Sequence, residues 1–275
     1  MTPHGLALVT ELALAETRGR VTDRGDFLVV ETPDDPGYYY GSLLVLRAAP
    51  QLGEVAFWSR RFADELGKQP EIRHVTFWWD GTTGDVGARD ELLAAGFTIE
   101  QPQVMTSSRL AAQEAPLPIR VLSPDEVLAT AELAWTVGDR HDEAYRQFLL
   151  RRAAWHRDLV ARGTAHFHGA FDGEMLVSSL GLVELGELAR YQDVQTHPAY
   201  RGRGLAGALL VAAADATRAR TVVILAEPDS IASRVYERIG FHIAERTASA
   251  CRYPAGTEPA GRGTGISARP SRSRP

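Results

Sequence analysis

The sequence is poor in cysteine, in lysine and in long apolar runs, and each shortage argues against a class of protein. Cys251 is its only cysteine, so no disulfide can form within the chain, and we expect a cytoplasmic location. Lys68 is its only lysine and the formal net charge is −5, so the basic excess of a general nucleic-acid binder is missing. No apolar run is long enough to span a membrane, and the N-terminal residues, which include Glu11, do not resemble a signal peptide. We therefore expect neither nucleic acid nor a membrane among its partners.

What the sequence does contain is the composition of an ordinary globular protein. Its 275 residues suffice for one large or two small domains, and 44% of them are apolar. Apolar periodicity predicts helices over 6–17, 54–67, 88–95, 124–136, 143–162, 204–218 and 230–239. Turn residues and β-branched runs predict strands over 27–31, 38–47, 72–79, 97–106, 119–122, 165–171, 174–182, 188–196, 221–226 and 241–248. The mixture of the two patterns predicts an α/β (α+β) fold.

An internal repeat is visible between residues 88–100 and residues 232–244. Each segment is a helix pattern closed by a glycine and followed by a strand pattern that starts with phenylalanine. Glycine at that place is the usual left-handed helix cap. When the two segments are aligned on it, Leu92 takes the place of Tyr236. A duplicated unit explains the pattern, although helix, glycine and strand can also recur by chance in α/β proteins.

Residues 193–213, DVQTHPAYRGRGLAGALLVAA, contain an abrupt change from strand to helix. The strand breaks at Pro198, and an Ala- and Leu-rich helix follows the turn Arg201–Gly204, which we call the cradle. Helix-start amides are unpaired, they lie at the positive end of the helix dipole, and glycine has no side chain to block approach. The flanking guanidinium groups suit phosphate oxygens. The turn is therefore predicted to bind an anion.

Written as V-x-T-x-P-x-x-R-G-x-G-x-A, this segment resembles the pyrophosphate-binding motif of the GNAT superfamily, the acyl-CoA-dependent N-acyltransferases. Residues 229–241, DSIASRVYERIGF, resemble that family's N-x-x-A-x-x-L-Y-x-x-x-G-F element, at the expected distance and in the expected order. The resemblance covers roughly residues 117–254. It implies a mixed, mostly antiparallel twisted sheet, flanked by helices, with a splayed central strand.

Together with the repeat, the resemblance implies tandem GNAT folds, an architecture similar to that of mycothiol-synthase-like proteins. The stretch 50–54 occupies the place of 198–204, but it is shorter and has neither arginine nor paired glycines. The C-terminal residues are mostly Gly, Pro, Ser and Arg, a composition that does not bury a core. We therefore expect a degenerate GNAT-like domain without a cofactor site over 1–108, a linker over 109–116, a catalytic GNAT domain over 117–254 and a disordered tail over 255–275.

The resemblance implies acetyl-CoA as cosubstrate and no metal. It implies that the backbone of the central strand pairs with the pantetheine arm and that the cradle and the helix start hold the diphosphate. The residues so assigned are Val194, Gln195, Thr196, Arg201, Gly202, Arg203, Gly204, Leu205, Ala206, Gly207 and Asp229. Asp229 stands where the family usually has asparagine; its other interpretation is a helix N-cap, and a carboxylate there suits an anionic ligand poorly.

Tyr236 matches the tyrosine of the second motif, which the resemblance implies to be the acid for the leaving thiolate. Ile231, Val235 and Ile239 form an apolar stripe on its helix, so Tyr236 is predicted to point about 100° away from that stripe, toward the helix edge. Full proton transfer from a phenol to a thiolate is uphill by about 2 kcal/mol, so hydrogen bonding to the developing charge is the larger part of the expected role. A half-buried packing tyrosine is the alternative.

No general base is evident in the sequence. Simple strand alternation places Gln192 on the face of Val194 and sends Asp193 to the opposite face. His166 and His168 share one face of a hairpin; they could bind a metal or relay a proton, or they could be surface histidines. The amine is therefore expected to lose its proton through water.

The loop 137–142, VGDRHD, beside Trp135, is the expected acceptor-binding segment. Asp139, His141 and Asp142 would suit a cationic amine, and a solvated inter-helix loop is an equally compatible interpretation. The predicted function is an acetyl-CoA-dependent N-acetyltransferase that moves an acetyl group to a primary amine of a small molecule by direct attack in a ternary complex. The alternatives are a non-catalytic CoA-binding regulatory protein and RNA binding through the Arg-Gly motif.

Overall fold

The structure, a computed structural model, describes residues 1–254; the tail predicted over 255–275 lies outside the described residues. The chain forms two compact units. The first unit contains Met1–Val104 and residues 243–254, and the second contains Met105–His242. Compactness alone does not assign a function to either unit. The predicted division into a silent domain and a catalytic domain therefore stays a prediction.

The chain contains both helices and strands, as the two periodic patterns in the sequence predict. In chain order they are α1 (Leu6–Glu16), β1 (Arg20–Asp23), β2 (Phe27–Glu31), β3 (Leu43–Leu46), α2 (Val55–Leu66), β4 (Val75–Trp79), α3 (Arg89–Ala94), β5 (Thr98–Glu100), β6 (Gln103–Ser107), β7 (Ile119–Val121), α4 (Pro124–Val127), α5 (Thr130–Val137), α6 (Glu143–Ala161), β8 (Ala165–Asp172), β9 (Met175–Leu185), β10 (Leu188–Thr196), α7 (Leu205–Ala216), β11 (Thr221–Ala226), α8 (Ile231–Arg238), β12 (His242–Arg246) and β13 (Ala248–Arg252). None of the helices described combines the length and the apolarity needed to cross a bilayer.

Two mixed sheets have the same strand arrangement, which confirms the predicted fold class and the tandem repeat. The six-stranded sheet has the order β1-β2-β3-β4-β13-β5, and the seven-stranded sheet has the order β7-β8-β9-β10-β11-β6-β12. In each sheet one parallel pair, β3–β4 or β10–β11, is connected by a helix. In each sheet the next-to-last strand, β13 or β6, comes from a distant part of the chain. The two sheets therefore match strand for strand, apart from the additional β7.

The predicted strands over 97–106 and 241–248 are each wrong in one respect. Residues 97–106 divide between the edge strand β5 of one sheet and the next-to-last strand β6 of the other, with Pro102 between them. Residues 241–252 divide in the same way, with Thr247 between β12 and β13. The Thr247 amide donates to the Pro102 carbonyl at 3.1 Å. Apolar patterns predict that a segment is a strand, but they do not tell which sheet it joins.

Helices cover both faces of the seven-stranded sheet. On one face, Leu180 and Leu182 pack with Leu209 of α7 in the main core cluster. Between them in β9 lies Gly181, whose missing side chain leaves room for the Phe167 ring on the other face. That ring contacts His156 of α6, with 4.7 Å between ring centroids. Because neighbouring residues of a strand point to opposite faces, α6 and α7 lie on opposite sides of β9 and β10.

Candidate functional site

The parallel strands β10 and β11 separate from each other after their first residues. Backbone pairing covers Leu188–Arg190 against Thr221–Val223 and goes no further, although β10 continues to Thr196 and β11 to Ala226. On its other edge β10 keeps its antiparallel pairing with β9. We call the opening beyond Arg190 the splay. It is the splayed central strand that the sequence predicts, and it leaves backbone groups of β10 without a strand partner on that edge.

A β-bulge interrupts β10 where the splay opens. The register with β9 shifts between Gln192 and Gln195, and Asp193 has a left-handed φ of 47°. A residue other than glycine held in that region costs on the order of 1–3 kcal/mol. Because of the extra residue, Tyr191 and Val194 both lie in the core against α7, whereas Gln192 pairs with Gly181. The predicted placement of Gln192 on the face of Val194 is therefore wrong.

Asp193 is held by side chains of α6. Its carboxylate accepts two hydrogen bonds of 2.7 Å from Arg152, and His156 Nδ1 lies 3.6 Å from the same carboxylate. All three side chains are nearly buried. Burial would raise the pKa of Asp193, but the charges of Arg152 and His156 outweigh it and hold that pKa below its usual value. A carboxylate held ionised in this way is a poor general base.

The predicted pantetheine-binding residues Val194, Gln195 and Thr196 are buried at the end of β10. The Ser178 hydroxyl donates to the Gln195 carbonyl at 2.8 Å and lies 2.8 Å from the Thr196 hydroxyl. These contacts fix the β9 side of the strand, while the splay leaves its other edge open. Their role in binding an acyl-CoA stays a prediction.

The cradle has the geometry of an anion site. Gly202 and Gly204 have left-handed φ values of 76° and 85°, which glycine adopts without strain. A side chain added to either glycine would meet nothing within 4 Å, so the turn opens outward. Within the part of the chain that the structure describes, the amides from Gly202 to Gly207 donate to no other residue, and the first bond into α7 joins the Ala208 amide to the Gly204 carbonyl at 3.1 Å. These donors therefore meet the requirements for holding a diphosphate.

The remaining cradle positions have mixed environments. Arg201 donates to the Thr196 carbonyl at 3.2 Å, and Arg203 donates to the Ala199 carbonyl at 3.0 Å and lies over the Tyr200 ring. Both guanidinium groups thus hydrogen-bond to the backbone that precedes the turn, and both residues remain exposed at the surface. Further along, Leu205 and Gly207 are buried and Ala206 is half-buried. Their assignment to a diphosphate stays a prediction.

Tyr236 lies inside the core rather than at the helix edge. It is 1% exposed, and its ring contacts Phe241 with 5.8 Å between centroids. The buried face of α8 is formed by Ala232, Ser233 and Tyr236, whereas Ile231 is 51% exposed. The predicted apolar stripe is therefore wrong at Ile231, whereas Ile239 is buried in the core and Val235 packs against it. Burial raises the pKa of Tyr236 well above its usual value.

Asp229 does not cap α8, so that alternative is wrong. Ser230 is the N-cap, and its hydroxyl accepts from the Ser233 amide at 3.0 Å. Asp229 is exposed, has a left-handed φ of 56°, and its carbonyl accepts from Arg234 at 2.6 Å. Aspartate tolerates that backbone region better than most residues do. Its predicted contact with a cofactor stays a prediction.

The two hairpin histidines lie in different environments. His166 is half-exposed, with Nε2 3.9 Å from a Glu184 oxygen. His168 is buried, its pKa is lowered to about 4 by burial, and its Nδ1 has no hydrogen-bond partner among the described residues. Among those residues no three His, Cys, Asp or Glu side chains converge as metal ligands would. His168 is accordingly a neutral interior histidine rather than a surface one.

The loop before α6 is ordered by its own side chains. Asp142 accepts from the Tyr145 amide at 2.9 Å and pairs with Arg140 at 2.7 Å, and the Arg140 hydrogen bond lowers the pKa of Asp142. The Trp135 ring contacts His141 edge-on, with 4.8 Å between centroids, and stacks on Tyr145. Asp142 therefore serves as the helix N-cap. Which side chains of this loop bind an acceptor stays a prediction.

Residues 125–250 match a family model described as Acetyltransferase (GNAT) domain. The C-terminal half of the chain carries a GNAT acetyltransferase domain. That domain includes the splay, the cradle and Tyr236, and the match supports an acyltransferase of the GNAT type. No curated protein matches the sequence.

Solved structures match most of the chain, with low sequence identity. A functionally unknown conserved protein from Staphylococcus epidermidis ATCC 12228 has a TM-score of 0.71 at 10% identity, over 85% of this chain and 94% of that one. A GCN5-related N-acetyltransferase from Kribbella flavida has a TM-score of 0.63 at 16% identity, over 92% of this chain and 97% of that one. A tandem GNAT protein from the clavulanic acid biosynthesis pathway has a TM-score of 0.51 at 15% identity, over 78% of this chain and 74% of that one. The likeness shows the fold, and it agrees with a second GNAT-type fold in the N-terminal half.

Proposed function

We propose that the GNAT domain is an acetyl-CoA-dependent N-acetyltransferase that moves an acetyl group to the primary amine of a small molecule, by direct attack in a ternary complex. The observation that carries the proposal is the row of amides from Gly202 to Gly207, which have no hydrogen-bond partner among residues 1–254 and open outward beside the splay. A helix N-terminus with unpaired amides favours an anion, and two left-handed glycines keep the approach clear. A diphosphate joined to an extended amide-bearing arm matches both features.

The chain's own residues would hold such a ligand in two places. The cradle amides would bind the diphosphate, with Arg201 and Arg203 flanking it. The open edge of β10 from Val194 to Thr196 would pair with the amides of the pantetheine arm, since the pairing with β11 ends at Arg190 and no other described strand lies along that edge. When bound, acetyl-CoA supplies an acetyl group activated as a thioester. Asp229, exposed at the start of α8, is the remaining residue assigned to this site by the resemblance.

Tyr236 would donate a hydrogen bond to the leaving sulfur. Its raised pKa keeps the phenol neutral and makes full proton transfer to a thiolate more uphill than for an exposed tyrosine. Stabilisation of developing charge by a fixed donor does not require that transfer. Asp193 is held ionised by Arg152, so it does not serve as the base, and the amine would lose its proton through water.

Two measurements on the full chain test the proposal. Calorimetry with coenzyme A tests the ligand, and release of free thiol from acetyl-CoA across a panel of small amines tests the reaction. Binding together with amine-dependent thiol release supports the proposal. Binding without release for any amine would instead favour the regulatory alternative. Absence of heat with coenzyme A would contradict both the acetyltransferase proposal and the regulatory alternative.

A further inference from the structure

The bulge of β10 lies between two parts of the proposed site. Before it, Arg190 is the last residue that pairs with β11. After it come residues 194–196, the edge to which we assign the pantetheine arm. At the bulge itself Asp193 has a left-handed backbone, and the register with β9 resumes at Gln195. The conformation of this one residue therefore sets the direction in which the following backbone groups point.

We propose that Arg152 and Asp193 are positioning residues of the acyl-CoA site, whose ion pair holds the bulge open and so aims the backbone of residues 194–196 at the splay. The inference rests on the proposed function, because it concerns how that site is built. A left-handed residue that is not glycine persists only where its surroundings fix it. Here the surroundings are α6, which supplies both Arg152 and His156.

The geometry of the pair suits a mechanical role. Arg152 donates from Nε and from one terminal nitrogen to the two carboxylate oxygens of Asp193, each at 2.7 Å. A planar bidentate pair fixes direction as well as distance, which a lysine in its place would not do. The side chains are 11% and 13% exposed, so water competes little for them. Since α6 is a helix of 19 residues, it provides a rigid support for the bulge.

The same contacts argue against a direct chemical role for Asp193. Both of its oxygens accept from Arg152, and the pKa of its carboxyl is held below its usual value. What the pair supplies is therefore a backbone conformation. Glycine separates the two roles, because it adopts a left-handed φ without any side-chain support. A variant with glycine at 193 keeps the bulge but loses the carboxylate.

The test compares three variants of the full chain by calorimetry with coenzyme A and by amide hydrogen exchange at residues 194–196 without ligand. Arg152→Gln leaves a buried carboxylate without its partner, so we expect affinity to fall about tenfold and exchange to accelerate. Asp193→Gly and the double variant Arg152→Gln/Asp193→Gly should stay within about threefold of the wild type in affinity, although both lose stability. If Arg152→Gln does not fold, the double variant still decides the question.

Arg157→Gln is the matched control, because Arg157 lies on the same helix and pairs with Asp158 at the surface at 2.8 Å. It should leave affinity and exchange unchanged. The inference is overturned if Asp193→Gly weakens coenzyme A binding as strongly as Arg152→Gln does. It is also overturned if the affinity of the double variant does not return to near that of the wild type. Absence of binding by the wild type would instead refute the proposed function. In that case unchanged exchange in Arg152→Gln would also refute the positioning role.

Discussion

The two halves of the chain have sheets with equivalent strand orders, but the parallel strands separate from each other only in the C-terminal sheet. In the N-terminal sheet, β3 pairs with β4 from Leu44 to its last residue, Leu46, and the Asp80 amide bonds the Leu46 carbonyl at 2.9 Å beyond that. In the C-terminal sheet, pairing stops at Arg190 while β10 runs on to Thr196. A strand of 4 residues leaves nothing to splay, whereas one of 9 residues leaves an open edge. The length of the first strand of the parallel pair therefore distinguishes the half with an open strand edge from the half without one.

The helices that follow these strands differ in what their first amides bind. Gly53 precedes α2 with a φ of 86°, almost the value of Gly204 before α7. In the N-terminal half, however, the Gln51 amide donates to Glu54 at 2.9 Å and the Gly53 amide donates to Glu91 at 2.6 Å. The chain's own carboxylates thus occupy the place of an external anion. The N-terminal turn is shorter, and glutamate side chains already accept hydrogen bonds from its amides. Both features would keep it from binding a diphosphate.

The largest expected effect concerns a buried position at which the C-terminal half has a phenol hydroxyl and the N-terminal half has an aliphatic side chain. Leu92 of α3 and Tyr236 of α8 are both fully buried in their cores. Tyr236→Phe should lower acetyl-CoA turnover by about 100-fold or more while leaving the affinity for coenzyme A nearly unchanged, since it removes only a donor to the leaving group. Thiol release and calorimetry measure the two quantities.

Leu92→Met is the control for that change, because it alters a core side chain of similar volume in the other half. It should leave turnover as it is. Turnover that survives in Tyr236→Phe would show that the leaving sulfur finds its donor elsewhere, and the tyrosine would then be a packing residue.

The next effect compares two buried histidines, one in each half. Burial lowers the pKa of His74 and of His168 to about 4, and the unfolded value is 6.5. Between these values the unfolded chain binds a proton that the folded chain does not, so stability falls as pH falls. Each histidine should lower the free energy of unfolding by about 2 kcal/mol between pH 7 and pH 5. Urea unfolding at the two pH values measures this loss.

His168→Leu identifies the contribution of the C-terminal half. The variant should lose roughly half of the pH dependence, and any cost of the substitution that does not depend on pH cancels in the difference. An undiminished pH dependence would mean that His168 already carries its proton in the folded chain or that other groups dominate.

A smaller effect is expected from alanine at the two left-handed glycines. Gly53→Ala and Gly204→Ala should each destabilise the chain by about 1 kcal/mol, because both positions have the same φ and open surroundings. Only Gly204→Ala should weaken the affinity for coenzyme A, by about tenfold, since its methyl group would project into the open space in which the diphosphate is proposed to bind. Thermal unfolding and calorimetry separate the two results. Equal losses of affinity in both variants would contradict the assignment of the cradle.

How far the sequence predicts these features depends on how local they are. The bounds of β2, β10 and β11 are predicted correctly, because turn residues flank each strand, and the cradle is continuous in sequence. The exchange of β6 and β13 between the sheets is not predicted, since β-propensity does not choose partners. The pairs Arg152–Asp193 and Gly53–Glu91 join residues 41 and 38 positions apart, and no periodicity links such residues.

The bulge has a related cause. Nothing in the sequence marks Asp193 as left-handed, and the side chains that contact it, Arg152 and His156, are distant from it in sequence. The burial of Tyr236 has a similar cause: the apolar spacing of α8 includes Ile231, which the structure leaves exposed, while Ala232, Ser233 and Tyr236 are buried. The motif thus locates the site, while tertiary contacts set its geometry.

The smallest expected effect tests which of the two differences would keep the N-terminal half from binding coenzyme A. Glu91→Gln weakens the acceptor for the Gly53 amide, so we expect a loss of about 0.5–1 kcal/mol in unfolding free energy. It should not create a second coenzyme A site, because β3 and β4 stay paired to the end of β3 and leave no open edge. Calorimetric stoichiometry should therefore stay at one site per chain, as it should in Glu71→Gln, a control at an exposed glutamate. A stoichiometry of two in Glu91→Gln would show that the chain's own carboxylates, and not strand length, keep this half from binding.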